Sequence, residues 1–531
     1  MIRQLLKKLF YVFWLLPGFL LWASFPPMGE KMDCLFALAP LLWLARRGSV
    51  KNNLKAWAAN GFLFWFATLS WMPAIVKNGG PWPLVVLGWG ALAAYCTLYF
   101  VAFGWLAASY WGWARERTYR WRLAGLFVVE PVLWAGLELL RSRLFGGFAW
   151  NQLGVAPINA GFGAPAALGG VYLVSAFVVL VNGTIASIAE RMWRPSASGI
   201  PNWARSVETF LPFLVIWGSF ALADRVNSAV PAAQDRAEIG IGFLQRNFPS
   251  VFERDREEDP TEAYTRLTAN LKHLKPDLLI APESALCEFG PVDSLRAARW
   301  AEWLREQTGA YAVLAGGSRR SEGREYNSAG LFTAMKTEVY DKVHLVPFGE
   351  FIPGDKLMPI LQKLAPVGSC TPGELTALSV SKDLRLGVGI CFEDTDSAQI
   401  RGLVAKKSAN LLVFITNDSW FSRSNEAVQH AWQAVARAIE TGVPVVRVGN
   451  SGVTGTVLPD GKASWLCDGD GRPLVDAAAS MYDRVSVGPV RGTLYLRWGD
   501  IPLFLAFLLL ITVMGVVKYR HDYEKRRKLS L

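Results

Sequence analysis

Apolar residues come in blocks along this chain. From residue 9 to residue 223 nearly every stretch of about 20 residues is apolar, with a short polar break before the next, which is the length a helix needs to cross a bilayer. From 224 to 499 the apolar runs become short and alternate with amphipathic stretches; 501–517 is one more long apolar block, followed by a basic tail. The pattern predicts eight membrane segments, at 9–25, 34–45, 56–76, 84–111, 123–140, 167–189, 210–223 and 501–517, the second and seventh being short. It divides the chain into membrane helices one to seven (1–223), a water-soluble domain (224–499), and a last helix with its tail (500–531).

Lys and Arg orient these segments, because cytoplasmic breaks carry the excess of positive charge. Arg3, Lys7 and Lys8 precede the first segment, and Arg46, Arg47, Lys51 and Lys55 fill the second break. Arg115, Arg117, Arg120 and Arg122 fill the fourth, Arg191, Arg194 and Arg205 the sixth, and Lys518, Arg520, Lys525, Arg526, Arg527 and Lys528 lie in the tail. With eight crossings these clusters share one side, so the soluble domain is expected outside the cytoplasm. They also account for much of the net charge of +11. No stripe of aromatic residues accompanies them, which argues against a nucleic-acid partner. No small-x-small cleavage site follows the first segment, so it reads as an anchor.

Within the soluble domain, short runs rich in Val, Ile and Leu at 239–244, 278–281, 312–315, 329–333, 386–390, 411–415 and 443–448 read as strands. Amphipathic stretches at 261–274, 294–307, 397–406 and 426–441 read as helices, with Thr261 and Ser397 as N-cap candidates. This alternation predicts an α/β sandwich with helix-covered sheets. Functional side chains of such sheets collect just past strand ends. Glu283 follows Leu-Leu-Ile-Ala-Pro, and Cys391 follows Leu-Gly-Val-Gly-Ile, where Gly387 and Gly389 imply a close approach of backbone or ligand.

Taken singly, these residues have plainer readings: a small buried hydrophobe for Cys391, a cap for Glu283, a surface charge for Lys342. Together, a carboxylate base, a fixed cation and a thiol are what acyl transfer through a thioester requires. The six cysteines show no Cys-x-x-Cys pair and there are only four histidines, so a zinc site is not expected. Cys287, Cys370 and Cys467 could pair if their compartment oxidises thiols.

In order, Pro282-Glu283-Ser284, Lys342-Val-His-Leu-Val-Pro-Phe-Gly-Glu350 and Ile390-Cys391-Phe392-Glu393 resemble the signature of the nitrilase superfamily. The likeness continues through Thr416-Asn417-Asp418-Ser419-Trp420-Phe421, Gln429-His430 and Asn450-Ser451-Gly452-Val453-Thr454. With its flanking membrane segments, the layout is similar to that family's membrane-integrated branch, the apolipoprotein N-acyltransferases. The resemblance implies a polytopic α-helical membrane domain joined to an extracytoplasmic αββα sandwich, held as a monomer in the bacterial inner membrane. It implies a Glu283, Lys342, Cys391 triad, supported by Glu350 and Glu393. Cys391 would take an acyl chain from a membrane phospholipid and pass it to the α-amino group of a diacylglyceryl-modified cysteine on an apolipoprotein. Trp150, Phe351, Phe392, Trp420 and Phe421 would contact substrate, although Trp150 also reads as an interfacial anchor.

The chain departs from the family pattern at Arg246, where Gly is common, at Arg254, where Trp is usual, at Phe392, where Tyr is frequent, and at Ser422, where Gly follows Trp-Phe. Four rival readings stand beside this one, among them a Cys-His protease that would pair Cys391 with His344 or His430, although nothing in their spacing specifies the pairing. A membrane-tethered amidase would use the same triad with water as acceptor. A non-catalytic scaffold would not need the triad intact, and a transporter would need more intramembrane charge than Glu130 and Glu138 provide.

Overall fold

The computed structural model describes residues 14–47, 49–115, 117–193, 202–228, 236–248, 259–352, 369–421, 424–490 and 492–529. Residues 9–13 of the first expected span lie outside these, as do Arg3, Lys7, Lys8, Arg194, Arg254 and Ser422. The chain forms two compact units, one of Met1–Ser70, Leu87–Arg225 and Trp498–Leu531, the other of Trp71–Val86 and Val226–Arg497.

Among the described residues of the chain, six helices are long and apolar enough to cross a membrane: Val50–Asn78, Trp82–Ala114, Tyr119–Arg141, Ala166–Met192, Asn202–Arg225 and Ile501–His521. Trp14–Ala23 is a shorter apolar helix. The expected second segment folds instead as two short helices, Cys34–Ala37 and Ala39–Arg47. Pro40, with no N–H to donate and a ring that blocks the preceding turn, accounts for the break.

Polar side chains in the membrane unit tie one helix to the next. The Asn60 amide accepts from Gly18 N and donates to the Trp14 and Ala56 carbonyls. Asn182 accepts from Leu38 N and donates to the Cys34 and Val178 carbonyls. Arg46 and Glu130, both buried, pair through two hydrogen bonds of 3.1 and 2.5 Å. Trp111 Nε1 donates to the same carboxylate, and Arg46 also reaches the Gly183 carbonyl and Ser187 Oγ. Glu138 accepts from Trp134 Nε1 and Leu153 N. Both intramembrane glutamates therefore brace the helix packing.

The second unit holds two six-stranded sheets. One has the order β12-β1-β2-β3-β4-β5, with β1 Ala237–Gln245, β2 Leu278–Ile280, β3 Ala312–Ser321, β4 Arg324–Phe332, β5 Thr337–Asp341 and β12 Ala479–Val487. The other has the order β11-β10-β9-β8-β7-β6, with β6 Leu378–Ser379, β7 Arg385–Ile390, β8 Leu411–Thr416, β9 Val445–Gly449, β10 Gly455–Val457 and β11 Ala463–Trp465. The central strands of each sheet, β1 to β3 and β7 to β9, run parallel.

Strand alternation sorts the side chains into layers. Leu278 and Ile280 join Leu386, Val388, Leu411 and Val413 in a core shared by both sheets. Leu279 and Val313 point the other way, onto Tyr264, Trp300 and Leu304 of helices Pro260–Ala269 and Leu295–Thr308. Two caps differ from expectation. Asp259 accepts from Thr261 N, and Asp396 accepts from Ala398 N and Gln399 N, so each helix is capped by an aspartate, two residues before the expected Thr261 and one before the expected Ser397. A carboxylate there also meets the positive end of the helix dipole.

Replacing Glu130 with Ala strands a guanidinium in an apolar interior, which should cost about 3–5 kcal/mol. The melting temperature of the detergent-solubilised chain should fall clearly, and adding Arg46→Leu should recover much of the loss. An unchanged melting curve for Glu130→Ala would contradict the bracing role.

Candidate active site

Glu283 lies just past β2, Lys342 directly follows β5, and Cys391 directly follows β7. The first two strands belong to one sheet and the third to the other, so the inter-sheet core brings the three exits together. Lys342 is almost fully covered, with 1% of its surface exposed. Backbone strain gathers here. Ser284, Phe348 and Cys391 all have positive φ, at 66°, 62° and 54°, a conformation that costs an L-residue energy and clusters at functional sites.

The glycines near the site serve packing. A Cβ on Gly316 would come within 2.7 Å of Glu283 Cα. Gly387 and Gly389 would meet Ala409, Leu412 and Phe414 at 2.9 Å, so the close approach expected there is by neighbouring protein.

One hydrogen-bond network connects the carboxylates and the cation. Lys342 Nζ lies 2.9 Å from both Glu350 oxygens. Asn327 Nδ2 donates to Glu283 Oε1 at 2.8 Å and to Glu350 Oε1 at 2.6 Å. The second Glu350 oxygen accepts from Val346 N. Asn327 was not singled out from the sequence. Its signal is a polar side chain that continues the inward period-two face of Leu331 and Ala329 on β4.

Glu393 is fully buried and saturated. It accepts from Tyr340 OH, Val343 N, His344 N, Ile390 N and Gln399 Nε2 at 2.6–3.0 Å. It thereby pins the loop carrying Lys342 to the strand end carrying Cys391.

Electrostatics assign each group a resting state. Burial pushes the Glu283 carboxyl above the ordinary range, with Lys342 pulling the other way. Burial also opposes the Lys342 charge, but Glu350 and, after it, Glu283 hold the ammonium above the usual lysine value. Burial and then Glu283 raise the Cys391 thiol, against the pull of Lys342 and His430. The resting sulfur is therefore a neutral thiol beside a carboxylate of raised basicity, as proton transfer between them requires.

The expected substrate-contact residues fall in different places. Phe392 meets His344 edge-on at 5.9 Å, and Phe351 accepts from Phe348 N through its carbonyl. Trp420 is 39% exposed, and its carbonyl accepts from Asn78 Nδ2 at 2.8 Å. Phe421 packs edge-on against Trp71 at 4.7 Å. Trp71–Val86 thus supports the loop after β8, a contribution not apparent from the sequence. Trp150 lies in the membrane unit, its ring buried and parallel to Phe148 at 6.5 Å, in contrast to a ring anchored in the headgroups.

Other motif residues latch strand ends. Thr454 Oγ1 donates to Gln245 Oε1, and Asn450 Nδ2 donates to Asn417 Oδ1 and the Phe248 carbonyl. Arg246 pairs with Glu288 at 2.6 Å and covers the Phe248 ring. Asp418, Glu426 and His430 lie close enough to share a metal ion, with ligand atoms within 4.8 Å of one another. Arg447 already occupies one Asp418 oxygen.

Two helix-flanked sheets with Glu, Lys and Cys at their strand ends define a carbon–nitrogen hydrolase-type domain, and residues 266–485 match the carbon-nitrogen hydrolase family model. Residues 17–184 match the model of the apolipoprotein N-acyltransferase N-terminal domain. The apolipoprotein N-acyltransferase of Geobacter metallireducens is 30% identical over 92% of both chains. Those of Photobacterium profundum and Haemophilus influenzae are 27% and 26% identical, over 94% and 97% of this chain and 93% and 97% of their own. The chain belongs to the apolipoprotein N-acyltransferase family.

Asn327 donates to the charged form of Glu283, so Asn327→Ala should push an already raised carboxyl pKa higher. As pH falls, Glu283 then protonates earlier, and the acid limb of the kcat–pH profile should move toward neutrality. A limb that stays in place or moves down would exclude this coupling.

Proposed function

We propose that the chain N-acylates lipoproteins through a thioester on Cys391, with its catalytic unit on the outer face of the bacterial inner membrane. The observation that carries the reading is the largely buried Lys342–Glu350–Asn327–Glu283 network beside Cys391, in a chain whose described residues include six helices of membrane-crossing length. The positions of Lys and Arg in the breaks between apolar segments support the outer placement.

In the first half-reaction Glu283 takes the Cys391 thiol proton, and the sulfur attacks the ester carbonyl of a phospholipid. Lys342, together with a backbone N–H, neutralises the oxyanion; loss of one such donor costs about 3–4 kcal/mol of barrier. The C–O bond breaks, Glu283 returns its proton to the leaving alkoxide, and a lysophospholipid departs. In the second, the free α-amine of a diacylglyceryl-cysteine attacks the thioester. Its proton passes through Glu283 to the departing sulfur, leaving an amide and the original thiol. Glu350 holds the ammonium, and Glu393 fixes the distance between the two loops. Phe351, Phe392, Trp420 and Phe421 line the approach of the acyl chain, and Trp150 is a further substrate contact. The chain acts as a monomer without metal or cofactor.

An amidase would use the same triad, but the full-length matches are to N-acyltransferases.

Incubation with phospholipid alone should add one fatty-acyl mass to the intact chain, mapping to Cys391 and lost in Cys391→Ala. Retained transfer by Cys391→Ala would overturn the reading. Lys342→Met should leave lipid binding nearly unchanged while slowing acylation by about a hundred- to a thousandfold, read by single-turnover mass spectrometry.

A further inference from the structure

The mechanism leaves unused a set of buried charges beside the nucleophile. His430, 1% exposed, sits on helix Glu426–Thr441. Its Nδ1 faces Asp418 Oδ1 at 3.1 Å and Glu426 Oε1 at 3.3 Å. Its Nε2 faces Asp394 Oδ1 at 3.0 Å and the main-chain carbonyl of Cys391 at 3.3 Å. Acceptors therefore stand on both sides of the ring. A neutral imidazole carries one N–H, so it would leave one nitrogen's lone pair directed at a buried carboxylate; an imidazolium donates on both sides.

We propose that His430 is a positioning residue, held as an imidazolium, that steadies the strained Cys391 peptide through its carbonyl and lowers the cost of forming the thiolate. The inference rests on the reading of Cys391 as nucleophile.

The surrounding charges agree with this. Arg447 lies 3.3 Å from Asp418 Oδ2 and 3.7 Å from Asp394 Oδ2, so those two carboxylates are shared between two cations. Burial and Asp418 push the Glu426 carboxyl up to about 7; even when Glu426 is protonated, Asp418 remains an acceptor on Nδ1. Burial raises Asp418 while Arg447 and His430 lower it, to about 2, so it stays charged. Burial opposes a charged His430 and Arg447 repels it, yet Asp394 and Asp418 hold it well above the ordinary histidine value. At the sulfur, Glu283 and Asp418 oppose the thiolate, and Lys342 and His430 favour it. The Cys391 backbone is strained at φ 54°, and Nε2 lies 3.3 Å from its carbonyl oxygen.

The full chain in detergent micelles, labelled with 15N-histidine, tests the protonation state directly, since only four histidines contribute signals. His430, assigned by its loss in His430→Gln, should show two protonated ring nitrogens that do not titrate between about pH 5.5 and 8.5. A neutral tautomer at pH 7, or a divalent metal retained at Nδ1 by elemental analysis, would overturn the proposal.

The role at sulfur is read from iodoacetamide alkylation of Cys391 against pH, followed by peptide mass spectrometry. In His430→Gln the midpoint should rise by about one pH unit, about tenfold less thiolate at fixed pH, and His430→Lys should recover part of the shift. A folded His430→Gln chain with an unmoved midpoint would remove the role. Transfer that persists in Cys391→Ala would sink the thioester mechanism instead, leaving the imidazolium signals as they are.

Discussion

Lys342 keeps a full positive charge at 1% exposure, and a charge so placed survives only where its surroundings match it. Both oxygens of Glu350 provide the match. That carboxylate would be costly to bury on its own account, so one oxygen also takes Val346 N and the other the Asn327 amide. The same amide reaches Glu283, which places the prospective base within the field of the ammonium. From one buried cation, the positions of two carboxylates and one amide follow. The thiol then lies between a base whose proton affinity burial has raised and a cation able to receive negative charge.

The same constraint recurs elsewhere. Arg46 with Glu130 is the membrane unit's version, satisfied further by one carbonyl and one hydroxyl of helix Ala166–Trp193. Beside Cys391, His430 and Arg447 face three carboxylates with almost no water to dilute the charges. Low dielectric makes each such set expensive if incomplete and rigid if complete. Rigidity suits Cys391, whose backbone is strained.

Glu283, Lys342 and Cys391 were legible as candidates because each sits at a strand exit inside a short recognisable segment, and because Leu-Leu-Ile and Leu-Gly-Val-Gly-Ile read as short apolar strands. Asn327 was not, since it lies on the half of β4 that carries polar residues, where the apolar pattern starts only at Ala329. Strands β10 to β12 escaped for a related reason: two are three residues long and the third is largely half-buried, so none forms an apolar run. The carboxylates around His430 come from two short 3-10 turns and a helix, spread from Asp394 to Glu426, and only folding brings them together. The N-caps were misplaced by one or two residues because Asp and Thr or Ser compete for that position on nearly equal terms. The division into compact units follows the hydropathy blocks except at Trp71–Val86, an apolar stretch that packs with the polar domain.

That exception bears on how the enzyme can be handled. Starting a fragment at Val226 would appear to free the catalytic fold from its anchors. Such a fragment would lack the Asn78 amide that holds the Trp420 carbonyl and the Trp71 ring that packs on Phe421. Inhibitor screens or crystals based on the shortened protein would sample a rim missing its strut, and compounds chosen against that shape would fit the intact enzyme poorly.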